Sequence, residues 1–221
     1  MTSAIQIALT ATPLAAYFYV LGLFHGGRKP IMLTGPVDVG LMAGGLGGLV
    51  AFGPFGQSVL SRVAGAEVGL LGWSIWIALV VLWSLVLAGT AALRVTVYHL
   101  SNEELDRAVR ETLYRIDGRF TSTIYGFEDA DRMSGITVRS LPRLRSATIE
   151  AYGKDPETLI SEFKPRFREE LSRFPQAPSE ISHAMFGLAC LIMLLPVTGY
   201  FLSNARAKHA FWALLQSLRW W

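Results

Sequence analysis

Three groups of side chains in this chain have types and spacings suited to chemistry. Glu128, Asp129 and Asp131 place three carboxylates within four residues, the donor type a divalent cation takes. They lack the 12-residue calcium-loop pattern, and Asp favours turns because its side chain bonds the local backbone. A solvated turn is therefore the plainer expectation, with a cation site the weaker one. Arg139, Arg143, Arg145, Arg166 and Arg168 form the second group, suited to anionic lipid headgroups or to a phosphorylated ligand. Glu150, Glu162, Glu169 and Glu170 are interspersed with them, which points to ordinary surface pairing. The third group is His25, His183 and Asp38, which lie beside or inside apolar stretches. An ionisable residue at membrane depth is a functional candidate by default, and Asp38 is the candidate for an ion path. All three also suit the headgroup level, where no desolvation has to be explained. No two histidines share a helix, so haem ligation has no footing.

Nothing else in the chain carries a reaction. A P-loop, a nucleophile elbow, a dinucleotide fingerprint and a zincin HExxH are all missing from the sequence. The reading leans away from an enzyme, with no catalytic residue and no cofactor expected. Cys190 is the one cysteine, so no intrachain disulfide and no cysteine-built metal site can form. No Lys/Arg stripe interleaved with aromatics runs along the chain, which argues against nucleic acid as a partner.

The elements that hold these residues follow from the charge map. Residues 1–93 carry only Arg28, Lys29, Arg62, Asp38 and Glu67 as ionised side chains, whereas 94–182 carry 14 basic and 15 acidic ones. The chain is 52% hydrophobic with a mean hydropathy of +0.38, too apolar for an ordinary soluble domain. A bilayer core of about 30 Å takes roughly 20 apolar residues in a helix. Residues 4–24, 69–93 and 184–202 meet that length without a charge, so the last span falls within 183–203. Pro196 is tolerable in lipid as a kink. Basic residues follow rather than precede 4–24, which marks a retained span and not a cleaved signal.

The segment 37–53 differs in kind. It is short, contains Asp38 and lies between Pro36 and Pro54. Gly40, Gly44 and Gly48 recur every fourth residue and clear one helix face for close packing. That face can serve another span of the same chain, a second copy, or a broken segment, and packing within the chain is favoured. If 37–53 crosses, the 25–35 loop and the 94–182 domain share a side, and Arg28, Lys29 and Arg94 favour the cytoplasm. If it does not, the domain faces out. Four spans with a cytoplasmic domain is the preferred reading. In the tail 204–221, Phe211, Leu214, Leu215, Leu218 and Trp221 fall at helical spacing, as in an amphipathic helix at the interface.

The polar insert 94–182 has explicit signals. Ser101 and Glu104 form a capping box ahead of Leu105, Val109, Leu113 and Ile116. Asp155 and Pro156 open a second helix with the stripe Ile160, Phe163, Phe167, Leu171 and Phe174, and Pro165 is expected to bend it. Between the helices the period falls to two, with strands expected at 119–127, 136–139 and 147–152 after a first at 94–99. The turns GFEDADRMSG and SLPRLRS separate the later strands. The order β-α-β-β-β-α predicts a small α+β sandwich of ferredoxin-like size, inserted before the last span of a 3–4-span transmembrane helical protein.

The stretch TGPVDVGLMAGGLGGLVAFGPFG, the long Trp-bearing span and VTVYHLSNEEL carry a resemblance over roughly residues 30–175. The chain resembles an uncharacterised family of bacterial multi-span membrane proteins with a small α+β domain before the last span. The resemblance implies this architecture and a bacterial inner membrane; the family has no assigned activity. The expected function is a non-enzymatic interaction, regulatory or assembly subunit. Its expected partners are the lipid bilayer, and a protein or a second copy through the Gly face or the open sheet face. A small transporter or channel component using the Gly-rich span and Asp38 is the first alternative, and a membrane-bound enzyme the second.

Overall fold

A computed structural model describes residues 2–53, 56, 58–59, 70–117, 119–129, 133–174 and 179–204. Among them are six helices and six strands in chain order: α1 (Thr2–Gly26), β1 (Ile31–Thr34), α2 (Gly35–Phe52), α3 (Leu70–Thr90), β2 (Arg94–Tyr98), α4 (Asn102–Ile116), β3 (Thr121–Thr123), β4 (Gly126–Asp129), β5 (Ser134–Leu141), β6 (Ser146–Gly153), α5 (Pro156–Leu171) and α6 (Glu180–Ser203). A single 3-10 turn, Pro142–Leu144, joins β5 to β6.

Four of the helices, α1, α2, α3 and α6, are long and apolar enough to cross a membrane. The strongest window is Leu71–Thr90, none of which is buried within the chain. Its length and unburied apolar surface are compatible with a membrane span.

By its contacts the chain divides into two compact units. One comprises Met1–Tyr19, Met42–Leu82 and Phe186–Trp221. Within it, α1 meets α6 through a small cluster of Ala11, Ala15 and Ile192, backed by Leu14 and Phe18. Tyr19 lies against Phe186 with ring centroids 5.3 Å apart, and Phe52 stacks on Trp73 at 5.8 Å.

The other unit comprises Val20–Leu41 and Trp83–Met185 and holds the whole sheet. The six strands run antiparallel throughout, in the order β1-β2-β6-β5-β4-β3. Alternation along each strand sends one set of side chains to the core. Val95 and Val97 of β2, Ile136 of β5, and Ala147, Ile149 and Ala151 of β6 are buried in one cluster with α4 and α5. Leu105, Val109 and Leu113 come from α4; Ile160, Phe163, Phe167 and Leu171 come from α5. Both helices therefore cover the same sheet face. Phe163 and Phe167 stack at 4.7 Å and are fully buried, each worth ~1.5–3 kcal/mol of transfer free energy.

Local signals act where the spacing placed them. Ser101 Oγ accepts the Glu104 N–H, while Ser101 N–H donates to the Glu104 carboxylate, closing the capping box. Asp155 caps α5 by accepting the Thr158 N–H. The helix runs on through Pro165.

Two expectations about the strands need correction. The stretch 119–127 is not one strand but the start of a hairpin: β3 and β4 pair with Thr123 opposite Gly126, turning at Ile124–Tyr125. Part of the expected turn GFEDADRMSG is therefore β4 itself. Gly126 makes this work, because at φ +154° a Cβ there would lie 1.9 Å from the Ile136 carbonyl oxygen. The second correction concerns 25–35, which the sequence presents as a loop. Residues 31–34 form β1, paired with β2 from Ile31–Tyr98 to Thr34–Val95. The sheet thus has six strands, where β-α-β-β-β-α counted four.

Candidate functional site

The residues worth following converge where β2 meets the ends of helices, within the sheet-bearing unit. Strand alternation directs Thr96 and Tyr98 away from the helix-covered core, onto the opposite face. There both donate to Asp38 in the first turn of α2: Thr96 Oγ1 to Oδ2 at 2.8 Å and Tyr98 Oη to Oδ1 at 2.5 Å. Both carboxylate oxygens are engaged, and the negative charge sits at the positive end of the α2 dipole. Such charge-assisted bonds are short and roughly twice as strong as neutral ones. Asp38 thus ties the start of α2 to the sheet.

A second tie joins the end of α1 and the start of α6. Ser182 Oγ donates to the Gly22 carbonyl at 2.9 Å, and the Ser179 N–H donates to the His25 carbonyl at 3.2 Å. The His25 carbonyl is one that the last turn of a helix leaves without an intrahelical partner, and the Ser182 hydroxyl adds a further bond to Gly22 one turn earlier. The small residue Gly26 makes room, since a Cβ there would sit 2.9 Å from Ser182 Oγ.

His25 lies between the two ties. It is buried, with its ring edge-on to His99 at 5.9 Å and to Tyr98 at 6.0 Å, and Phe24 packs on Tyr98 at 5.5 Å. His99 is fully buried as well and adopts φ +68°, an uncommon conformation for a residue with a Cβ. The Arg145 carbonyl holds that turn by accepting from the N–H of His99 at 2.7 Å and of Leu100 at 3.2 Å. Sequence reading singled out His25 and Asp38 and missed Thr96, Tyr98 and His99. The signal was present in RVTVYH, where period-two alternation puts Thr96 and Tyr98 on one face. Nothing in the sequence says that this face receives a carboxylate 58 residues upstream.

The other candidate residues take separate places. His183 is exposed on α6. Glu128 and Asp129, adjacent on β4, point to opposite faces of the sheet, Asp129 inward and buried. Glu128 accepts from Tyr152 Oη at 2.6 Å. Burial and the Glu128 carboxylate together push the Tyr152 phenol up to about 12. Asp131 lies outside the described residues, as do all but Asn204 of the tail 204–221. Among the described residues, no three His, Cys, Asp or Glu side chains converge as metal ligands.

The five arginines are divided between two layers. Arg139 is on β5, and Arg143 and Arg145 are in the following turn; Arg166 and Arg168 are on α5, across the core from them. Arg166 donates to the Arg115 carbonyl at 2.6 Å, a helix-to-helix contact.

Gly40, Gly44 and Gly48 are also divided. A Cβ on Gly48 would meet the Leu9 carbonyl oxygen and Pro13 Cγ at 2.8 Å, so this glycine seats α2 on α1. Gly45, one residue off the stripe, does the same against Tyr17, whose Cβ would lie 2.4 Å from a Cβ there. At Gly40 and Gly44 nothing lies within 4 Å.

Comparison with protein-family models, with curated proteins and with solved structures finds no match for this chain.

Proposed function

We propose that the chain is a four-span membrane protein whose α+β domain is a non-enzymatic interaction or regulatory module, built to register the positions of its own spans. The observation that carries this reading is β1. It lies in the short connection between α1 and α2, yet it is an edge strand of the domain's sheet, in register with β2 over four residues.

A strand pair cannot form across a bilayer, so residues 31–34 and 94–98 share a side. An even number of crossings must then lie between them, which α2 and α3 supply. The N-terminus of α1 and the end of α6 fall on the opposite side. Arg28, Lys29 and Arg94 all lie on the domain side, which by the positive-inside rule is the cytoplasm.

The sheet is thereby joined to three helix ends. Continuity of the chain joins β1 to α2 and α3 to β2, the Asp38 bonds add a second link to α2, and Tyr98 and His99 hold the last turn of α1. A shift of any one span would strain ladder bonds or expose buried polar groups, so span geometry and sheet geometry are one equilibrium. A transporter reading through Asp38 has less support, because Thr96 and Tyr98 occupy both of its oxygens.

Cysteine accessibility in intact membrane vesicles tests the proposal. With Cys190 replaced, single cysteines at Arg28 and Ser122 should react with an impermeant maleimide from the same side. A cysteine in the 54–69 connection should react from the other. Reaction of Arg28→Cys and Ser122→Cys from opposite sides would refute the four-span reading.

A further inference from the structure

We infer that the outer part of the helix-free sheet face docks on anionic phospholipid headgroups of the same membrane; this rests on the four-span reading. The starting point is strand parity. Thr96 stands opposite Thr148, and Thr148 opposite Arg139, so Arg139 shares a face with the two side chains that bond Asp38. Leu141, two residues on, shares it too. This face receives the first turn of α2, where that helix enters the membrane. On the four-span reading α2 enters the membrane just beyond this turn, which brings the same face of β5 and β4 within reach of the headgroups.

The charges on that face are unevenly used. Glu150 is paired with Arg94 at 3.1 Å; Asp38 and Glu128 accept from hydroxyls and keep their charge, Glu128 opposite Gly135, four residues along β5 from Arg139. Arg139 on that face and Arg143 in the turn that follows β5 are exposed and, among the described residues, have no carboxylate partner. The positive charge is local to this end of the sheet, since residues 133–149 carry Arg139, Arg143 and Arg145 and no Asp or Glu; it is complementary to phosphate, which a guanidinium binds through paired N–H groups.

Apolar side chains gather at the same end of the sheet. The β3–β4 hairpin tip reaches β5 beside Arg139, with the Val138 N–H donating to the Tyr125 carbonyl at 2.9 Å. Ile124 is 92% exposed and Tyr125 77% exposed at that tip, and Leu141 is 60% exposed at the end of β5. Leu144 follows in the next turn and is also exposed. Bulky apolar tips beside uncompensated arginines suit the boundary between headgroups and acyl chains, where each finds its own medium. A headgroup layer is also the one partner that both tethers keep permanently within reach of this face.

The test uses the full chain with Cys190→Ala and a bimane fluorophore on single cysteines at Ile124, Leu141, Tyr114 and Leu82. The protein is reconstituted in vesicles of phosphatidylcholine or of an equimolar phosphatidylcholine–phosphatidylglycerol mixture, with and without brominated acyl chains. Docking predicts bromine quenching at Ile124→Cys and Leu141→Cys in the anionic mixture, and none at Tyr114→Cys, exposed on α4. Replacing both arginines, as R139Q/R143Q, should lower the docked-to-undocked ratio by about 25-fold, near fivefold per arginine. Leu82→Cys, midway along α3, separates the two claims. If it is quenched while Ile124 and Leu141 behave like Tyr114, docking fails and the four-span reading stands. If Leu82 is not quenched, both fall.

Discussion

Asp38 is the side chain on which sequence and structure differ most in meaning. An ionisable residue at the start of an apolar stretch reads as an ion-path candidate. Its two hydrogen bonds make it a structural acceptor, joining α2 to β2. Asp38→Ala leaves two hydroxyls without that acceptor and should cost about 2–4 kcal/mol, with Tyr98→Phe costing about 1.5–3 kcal/mol. Thermal unfolding in detergent checks both values. A double-mutant cycle between positions 38 and 98 should show coupling, because removing Asp38 already removes what Tyr98 donates to. Tyr152 gives a prediction in pH. Its phenol titrates near 12 in the folded chain, above the ordinary value of 10.0. The folded state therefore holds its proton more tightly, and this stabilisation is complete below pH 10 and lost as pH rises toward 12. Absorbance of the phenolate should place the midpoint near 12. Glu128→Gln should move it down, by less than the whole shift, because burial is the larger cause.

At the level of elements, the parts with strong local signals were legible and those made by distant partners were not. The capping box at Ser101, the Asp155 cap and the stripes of α4 and α5 each follow from residues within one or two turns. The burial of Phe163, Phe167, Leu113 and Val109 follows from the same spacing. β1 had no such signal. Ile31-Met32-Leu33-Thr34 is four residues long, half-buried on both sides, and shows no alternation; it is a strand because β2 offers it an edge. The hairpin over 121–129 was hidden for a different reason. Ile124 and Tyr125 have strand-like composition but occupy the turn, and only Gly126, at positive φ, marks the break. The acidic trio likewise looked like one cluster in sequence, whereas alternation sends Glu128 and Asp129 to opposite faces. The glycines of α2 supply the test at this scale. Gly48→Ala should destabilise by about 1–3 kcal/mol, because its methyl would press on the α1 backbone. Gly40→Ala and Gly44→Ala meet open space in the single chain and should be neutral or slightly stabilising. A large loss at Gly40 or Gly44 would instead show that a second copy packs there. Gly35 is the tightest position at the domain end, where a Cβ would lie 1.9 Å from the Ala91 carbonyl oxygen. Gly35→Ala should separate the start of α2 from the turn before β2, and should weaken the β1–β2 pairing with it.

For the whole molecule, the charge map defined an apolar part and a polar part, and the structure adds how tightly the polar part is bonded to helix ends. The sheet-bearing unit reaches beyond 94–182 to include Val20–Leu41, the end of α1 through the start of α2. On the four-span proposal, membership of β1 in the sheet makes strand pairing depend on where α1 and α2 sit. The most direct measurement is a disulfide between Leu33→Cys and Thr96→Cys in intact membranes, with Cys190→Ala. These residues are register partners on β1 and β2, and opposed Cα atoms in an antiparallel pair lie about 4.5–5.5 Å apart, within the range a disulfide spans. Mild oxidation should cross-link them in nearly all molecules, leaving the control pair Leu33→Cys and Thr137→Cys unlinked. Failure of the 33–96 pair to cross-link, with residues 28 and 122 labelled from opposite sides of the membrane, would contradict the account at its centre.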